Sequence, residues 1–147
     1  MTELDINALT ERIIGCAYNV SNTLGIGFVE KVYENAFAHE LKKDGLHVLQ
    51  QYPIRVQYDG INVGEFFADL LVHERVLVEI KAASALVPAH TAQGLNYLRA
   101  TGLETCLLIN FGKTRIEIRR LYPSPKMESS IINVYQILSS FISVHLW

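Results

Sequence analysis

The sequence contains only two cysteines, Cys16 and Cys106, and they lie far apart in apolar surroundings. It has no CxxC motif and no spacing of cysteine and histidine that is typical of a zinc site. We therefore expect two reduced thiols in the core of a cytoplasmic protein, which excludes a disulfide framework and a zinc finger. A chain of 147 residues, 50% of them hydrophobic, buries a core without such cross-links.

The sequence also lacks an excess of basic residues. Thirteen Lys and Arg stand against fifteen Asp and Glu, which gives a formal net charge of −2. This balance excludes a polybasic protein that coats nucleic acid, whereas an enzyme with a local basic groove remains compatible with it. The N-terminus has neither the basic region nor the long apolar region of a signal peptide, so we expect a cytoplasmic location.

Charged residues are missing from one long stretch, since no Asp, Glu, Lys or Arg occurs between Ser129 and Trp147. Polar residues interrupt the apolar ones there, so this stretch is a poor candidate for a membrane-spanning helix. We divide the chain into a domain at 1–125 and an apolar helical extension of the same domain at 126–147. The extension is expected to pack on the core or to join copies into a homo-oligomer, with no membrane contact.

Hydrophobic spacing predicts the element order α-α-β-β-β-α-β-β. Apolar residues recur at helical spacing from Leu9 to Leu24 and again from Val29 to Leu41. A helix between the third and fourth strands favours a mixed sheet in an α/β sandwich. The remaining elements are strands at 47–58, 61–72 and 76–81, a helix at 88–101, and strands at 105–111 and 115–121, with a tight turn at Asp59-Gly60.

An acidic residue interrupts the apolar second strand. Because side chains alternate along a strand, Asp69 is predicted to share a face with Phe67 and Leu71, opposite Ala68 and Leu70. Apolar strands disfavour isolated charges, so this position indicates a functional role. The alternative is an edge hairpin whose solvent-facing side simply carries charged residues.

The next strand adds Glu79 and Lys81 on one face. If residues 73–75 form the turn, Asp69 falls directly opposite Glu79, with Cβ atoms roughly 4.5–5.5 Å apart. Two carboxylates at this separation repel each other, so one of them holds a proton or a cation lies between them. Lys81 supplies one positive charge beside the pair, and a hard divalent ion with oxygen ligands suits the remaining space.

Two helices contribute further candidates. Glu30 lies in the first turn of the second helix, where the helix dipole alone favours a carboxylate. His90, Gln93 and Tyr97 form a ridge on the third helix that either contacts phosphate and sugar groups or is ordinary surface. The sequence has no G-x-S-x-G elbow and no glycine-rich phosphate loop, which argues against a serine hydrolase and a nucleotide-binding enzyme.

Several ordered blocks of the sequence resemble the GxxExxY protein family. Residues 27–33 read GFVEKVY and match the G-x-x-E-x-x-Y signature. The blocks ADLLV, VEIKA, Q-x-x-x-Y-L (93–98) and LLINFG extend the resemblance over residues 9–121. This family is similar to the PD-(D/E)xK nuclease superfamily, and the Q-x-x-x-Y motif resembles that of its RecB-like exonuclease branch.

The resemblance implies a restriction-endonuclease-like fold, which has an αβββαβ core with a mixed β-sheet flanked by helices. An extra N-terminal helix and the apolar C-terminal helix are added to this core. The resemblance also implies Asp69, Glu79 and Lys81 as the active-site triad, with Glu30 as an accessory acid. Mg²⁺ or Mn²⁺ is then expected on Asp69, Glu79, the backbone carbonyl of Ile80, and Glu30.

The combined interpretation is a metal-dependent nuclease that hydrolyses phosphodiester bonds of DNA or RNA. In this interpretation Lys81 orients the attacking water, and the side chains that position the phosphate backbone are Gln93, Tyr97 and Gln51. The alternative is a catalytically inactive module with the same fold that binds nucleic acid or protein, which the negative net charge favours. Clustering of the arginines around the acids is expected of the enzyme, namely Arg55, Arg99, Arg115, Arg119 and Arg120.

Overall fold

A computed structural model describes residues 4–123 of the chain. The elements in chain order are α1 (Ile6–Leu24), α2 (Glu30–Lys43), β1 (Val48–Tyr58), β2 (Ile61–Val72), β3 (Val76–Lys81), α3 (Pro88–Thr101), β4 (Thr105–Asn110) and β5 (Glu117–Leu121). This order confirms the predicted one, although several elements begin or end a few residues away from their predicted bounds. The extension at 126–147 and its predicted role in association lie outside the described residues. Within the described range, no helix is long and apolar enough to cross a membrane.

The five strands form one mixed sheet in the order β1-β2-β3-β4-β5. β3 and β4 are parallel, and every other neighbouring pair is antiparallel. A parallel pair needs a crossover connection, which α3 supplies between its two strands. Helices α1 and α2 share one apolar core with the sheet, while α3 packs in a second core with alternate residues of the same strands. The fold is therefore the predicted mixed sheet flanked by helices.

Tight turns join the first three strands. Asp59 and Gly60 join β1 to β2 with φ angles of 52° and 73°, as a type I′ hairpin turn requires. His73 and Glu74 join β2 to β3 with φ angles of 52° and 58°. Both turns lie where the sequence predicts them, so the β2–β3 register is also the predicted one.

The buried face of helix α2 is the predicted one at Tyr33, Phe37 and Leu41, but it differs at its margin. The sequence pattern places Val29 and Val32 on the buried stripe, but both side chains are exposed. Glu34 and Ala38 take their place on the face that also buries Tyr33. Glu34 is only 3% exposed. A carboxylate tolerates such burial only when hydrogen-bond donors surround it, so the residues packed against α2 must supply them.

The alternation of side chains slips at Asp69 in β2. Strict alternation places Ala68 beside Leu70, but this prediction is wrong, because Ala68 joins Leu71 in the core under α3 while Leu70 lies in the other core. At the same point the β1–β2 ladder skips the pair that would join Gln51 to Asp69, and Gln51 has a φ of 53°. A left-handed backbone at a residue other than glycine costs energy and clusters at functional sites.

Buried Asn110 ends β4 and holds the loop that follows β3. Its side-chain oxygen accepts hydrogen bonds from the backbone N–H groups of Ala83 and Gly112, at 3.0 and 2.9 Å. Its amide nitrogen donates to the carbonyl oxygen of Ala83 at 3.0 Å and to the carboxylate of Glu117 at 3.1 Å. The loop between Lys81 and α3 is therefore fixed against the end of the parallel strand pair.

We predict that Gly112→Ala destabilises the protein, because a Cβ there would lie 2.3 Å from the carbonyl oxygen of Ala83 and 2.5 Å from its nitrogen. Main-chain atoms cannot move aside as a flexible side chain can, so we expect a loss of about 1–3 kcal/mol or more in the free energy of unfolding, measured by urea denaturation. Gly15→Ala is the control, since nothing lies within 4 Å of a Cβ there. Alanine inside α1 should raise stability by roughly 0.5–1 kcal/mol. Equal stability of the two variants would contradict the close approach at Gly112.

Candidate active site

Strands β2 and β3 part at the two acidic residues. The ladder ends at Leu70↔Val78, one pair before Asp69 and Glu79. Beyond it, Glu79 Oε1 accepts a hydrogen bond from the backbone N–H of Asp69 at 3.1 Å. Asp69 Oδ2 in turn accepts one from the backbone N–H of Ile80 at 2.7 Å. The two predicted neighbours are thus joined across the strands by side-chain oxygens that replace main-chain acceptors.

The two carboxyl groups have raised pKa values. Glu79 is 3% exposed, and this burial, followed by the charge of Asp69, raises the pKa of Glu79 to about 8. Burial also raises the pKa of Asp69, although its hydrogen bond from Ile80 opposes the shift. Burial and the neighbouring charge thus favour the protonated form of Glu79 in the metal-free protein, as carboxylate repulsion predicts when no cation is bound.

Lys81 is held beside the acids by α3. Its ammonium group donates to Gln93 Oε1 at 3.1 Å, and Gln93 Nε2 donates to the hydroxyl of Tyr97 at 3.1 Å. The charge of Lys81 lowers the pKa of both Asp69 and Glu79, although burial dominates the net shift of each. Among the residues that the structure describes, Lys81 forms no ion pair, and only one of its three N–H donors has an assigned partner. The ammonium group is therefore oriented by a neutral amide and can still bind an anion.

Glu34 was absent from the predicted site residues, yet it lies next to the acids. Its Oε2 accepts hydrogen bonds from Gln50 Nε2 and from the ammonium group of Lys31, both at 2.8 Å. Its Oε1 accepts one from Gln51 Nε2 at 2.7 Å. Gln51 Nε2 is also 3.5 Å from Asp69 Oδ1, so Glu34 reaches Asp69 through Gln51. The charge of Glu34 contributes to the raised pKa of Asp69.

Glu30, the predicted accessory acid, is exposed at the start of α2. Its charge raises the pKa of both Asp69 and Glu79, so it is within electrostatic reach of the pair. Among residues 4–123 it forms no hydrogen bond with either of them. One feature of the sequence could have indicated Glu34 as a site residue. It lies four residues after Glu30, which places both on one side of the helix.

The G-x-x-E-x-x-Y signature fixes the point where α2 begins. The buried hydroxyl of Tyr33 donates to the carbonyl oxygen of Gly25 at 2.6 Å and accepts from the N–H of Phe28 at 3.3 Å. Its ring stacks on Phe111 with centroids 5.0 Å apart. Gly27 has a φ of 111°, a conformation that side chains rarely adopt. The glycine and the tyrosine of the signature thus hold the loop that leads into the first acidic residue of α2.

The donor set at the parting of β2 and β3 suits a hard divalent ion. The backbone N–H groups use one oxygen of each carboxyl group, so Glu79 Oε2 remains for a ligand, and Asp69 Oδ1 carries only the 3.5 Å hydrogen bond from Gln51 Nε2. Over residues 4–123, no three or more His, Cys, Asp and Glu side chains come together as a metal cage. Mg²⁺ usually binds through one or two carboxylates together with waters and substrate phosphates, so two carboxylates fit it.

Two of the five arginines that were expected near the acids, Arg120 and Arg55, have neighbours elsewhere in the fold. Arg120 donates hydrogen bonds to Asn7 and Thr10 of α1. Arg55 lies opposite Glu65 in the β1–β2 hairpin. Lys81 is the cation whose charge acts on both carboxyl groups.

Known proteins resemble this chain in sequence family and in fold. A family model described as the PD-(D/E)XK nuclease superfamily matches residues 7–121. Among solved structures, the chain is similar to an alkaline exonuclease (LHK-Exo) from Laribacter hongkongensis, with 16% identity and a TM-score of 0.51 over 97% of this chain and 81% of that chain. At this identity the likeness concerns the fold alone. A second structure, of SSO0001, shares 17% identity over 88% of this chain and 65% of that chain, and its TM-score of 0.49 carries no argument. The comparison with curated proteins gave no significant match.

We predict that Glu79 makes the metal-free protein less stable as pH rises. The pKa of Glu79 is about 8 in the folded chain against an ordinary value of 4.5. Its contribution to stability is therefore fully present below pH 4.5 and is lost as pH rises through about 8. Glu79→Gln keeps an acceptor for the N–H of Asp69 but does not titrate, so it should lack this contribution and be at least as stable as the wild type above pH 8.

The measurement is the free energy of unfolding in EDTA across this pH range. Exposed Glu11 in α1 provides the control, since Glu11→Gln should follow the wild-type profile. A constant difference between the wild type and Glu79→Gln at all pH values would contradict the raised pKa.

Proposed function

We propose that this chain, which belongs to the PD-(D/E)XK nuclease superfamily, hydrolyses phosphodiester bonds of DNA or RNA with Mg²⁺ or Mn²⁺ as cofactor. One observation carries the proposal, namely the meeting of Asp69, Glu79 and Lys81 where β2 and β3 part. We also propose that the chain is a GxxExxY protein of the RecB-like branch. The signature at 27–33 and the Q-x-x-x-Y motif at 93–97 support this finer placement.

Asp69 and Glu79 would hold the divalent ion, with the backbone carbonyl of Ile80 and with Glu30 as further ligands. Such an ion, when bound, acidifies a water molecule and neutralises charge on the scissile phosphate. Both carboxyl groups must be ionised to serve as ligands, so Glu79 must first release the proton that burial stabilises on it.

Lys81 would donate to a phosphate oxygen and orient the attacking water, since its ammonium group has donors to spare. A fixed positive charge placed where negative charge develops stabilises the transition state. Gln93 keeps the ammonium group in place through its Oε1, and Tyr97 in turn fixes Gln93. We propose that Gln93 and Tyr97 contact the phosphate backbone from α3 and that Gln51 contacts it from β1, beside Asp69.

The alternative function is a catalytically inactive module with the nuclease fold that binds nucleic acid or protein. Two observations favour it, the net charge of −2 and the engagement of Arg120 by α1. A cytoplasmic location fits either function and is supported by the free, buried thiols of Cys16 and Cys106. Association of copies through 126–147 stays a prediction from the sequence.

We predict that the wild type cleaves a labelled nucleic acid and that Lys81→Ala lowers the rate by at least about 10²-fold, as the loss of one transition-state donor does. The measurement is a gel assay over single- and double-stranded DNA and RNA, each with Mg²⁺ and with Mn²⁺. Exposed Lys42 provides the matched control, and Lys42→Ala should cleave at the wild-type rate. Equal cleavage by wild type and Lys81→Ala would contradict the proposal, and no cleavage by the wild type would favour the inactive module.

We predict that Mg²⁺ or Mn²⁺ stabilises the wild type by about 2.7 kcal/mol at a hundredfold excess over Kd, measured as a shift in the denaturation midpoint. Asp69→Asn removes one anionic ligand but keeps an acceptor for Ile80, so it should show little of this shift. Asp59→Asn is the control, because it removes the same charge from a turn that accepts asparagine. If Asp69→Asn and Asp59→Asn respond alike, the ion is bound elsewhere.

A further inference from the structure

Phe66 presents a half-exposed aromatic ring on the face of the sheet that α3 covers. Its side chain is 48% exposed, although its cross-strand partner Ile54 is buried in the core under α3. The ring centroid lies 5.9 Å from that of Tyr97, with 42° between the planes. One side of Phe66 is therefore supported by the protein while the rest of the ring faces solvent.

Three contacts connect this ring to the lysine of the candidate active site. Phe66 packs on Tyr97, the hydroxyl of Tyr97 accepts from Gln93, and Gln93 accepts from Lys81. Burial, followed by the charge of Glu79, raises the pKa of Tyr97, and the second cause agrees with the closeness of the ring to the acids. The exposed ring thus lies a few side chains away from the place where a phosphate would bind.

The part of the β1–β2 hairpin around Phe66 carries little positive charge. Residues 55–67 form the outer part of the β1–β2 hairpin, and none of them is buried. This segment carries Arg55 against Asp59 and Glu65, so it does not attract a phosphate backbone by charge. Gly64 leaves the position beside the ring without a side chain, since a Cβ there would lie 3.4 Å from the ring of Phe66.

We propose that Phe66, supported by Tyr97, is a stacking platform for an unpaired base of the substrate. This rests on the proposed function, because Lys81 is what marks the position of the phosphate. In a nucleic-acid strand a base lies near each phosphate. An aromatic ring can stack on any base, because stacking does not depend on hydrogen bonds to the base. The faces of paired bases inside a duplex are already stacked on each other. The substrate class is therefore single-stranded nucleic acid, or the frayed end of a duplex.

The test compares Phe66→Leu with Phe67→Leu. Phe67 is the next residue along β2, is 50% exposed, and points to the opposite face of the strand, so the two variants lose the same group at matched exposure. Binding is measured by the fluorescence of a single-stranded oligonucleotide that carries 2-aminopurine, with Ca²⁺ in place of Mg²⁺ to slow cleavage. A blunt duplex of the same sequence serves as the second probe.

Phe66→Leu should weaken binding of the single strand by roughly 5- to 150-fold, the range expected for the loss of one stacked base. It should also abolish the quenching of 2-aminopurine and leave binding of the duplex unchanged. Phe67→Leu should bind like the wild type. Phe66→Tyr should restore both binding and quenching, which shows that the ring and not the fold is responsible.

Equal binding of the single strand by Phe66→Leu and Phe67→Leu would overturn the platform and leave the exposed ring to another occupant, such as a protein partner. A parallel loss of single-strand and duplex binding in Phe66→Leu would overturn it as well. If quenching depends on Phe66 but the protein cleaves no nucleic acid, the stacking platform is supported and the nuclease function is contradicted. If Phe66→Leu cleaves single strands as the wild type does, the nuclease function is supported and the stacking platform is contradicted.

Discussion

The close approach of two carboxyl groups at the parting of β2 and β3 governs the candidate site. Antiparallel strands normally satisfy each other's N–H groups with main-chain carbonyl oxygens, and a strand pair that opens leaves such groups without partners. Here Glu79 accepts from the N–H of Asp69, and Asp69 accepts from the N–H of Ile80. The sheet thus opens without an unpaired amide at these two positions. The buried charge that remains is relieved by a proton on Glu79 or by a cation.

On each side of the two acids, a neutral amide side chain orients a charged group. Gln51 lies between Glu34 and Asp69, and Gln93 bonds to Lys81. An amide donates and accepts hydrogen bonds without adding charge, so it fixes a neighbour's position and leaves its charge available to a ligand. A lysine or arginine in place of Gln51 would neutralise Asp69 and compete with a divalent ion. The glutamines therefore make the site rigid while the pair stays anionic once Glu79 ionises.

The structure could be predicted from the sequence where residues close together in the chain determine it. The turn at 73–75 set the β2–β3 register, and the register brought Asp69 to Glu79. Burial of Glu34 could not be predicted in this way, because two of its three donors, Gln50 and Gln51, lie on strand β1, which a helical pattern does not include. The slip in alternation at Asp69 escaped prediction for a related reason. A period of two describes a regular strand, whereas the left-handed Gln51 lies on the neighbouring strand, where its side chain bonds to Glu34 of α2 and Asp69 of β2.

The proton on Glu79 links the stability of the empty site to its affinity for a cation. A raised pKa means that the folded, metal-free chain binds this proton more tightly than the unfolded chain does. A cation competes for the same carboxylate, so its affinity rises over the pH range in which the metal-free fold loses stability. The two effects have one cause, which is the burial of Glu79 beside Asp69. Once Glu79 is ionised beside Asp69, a divalent ion relieves a repulsion that the fold alone must otherwise sustain.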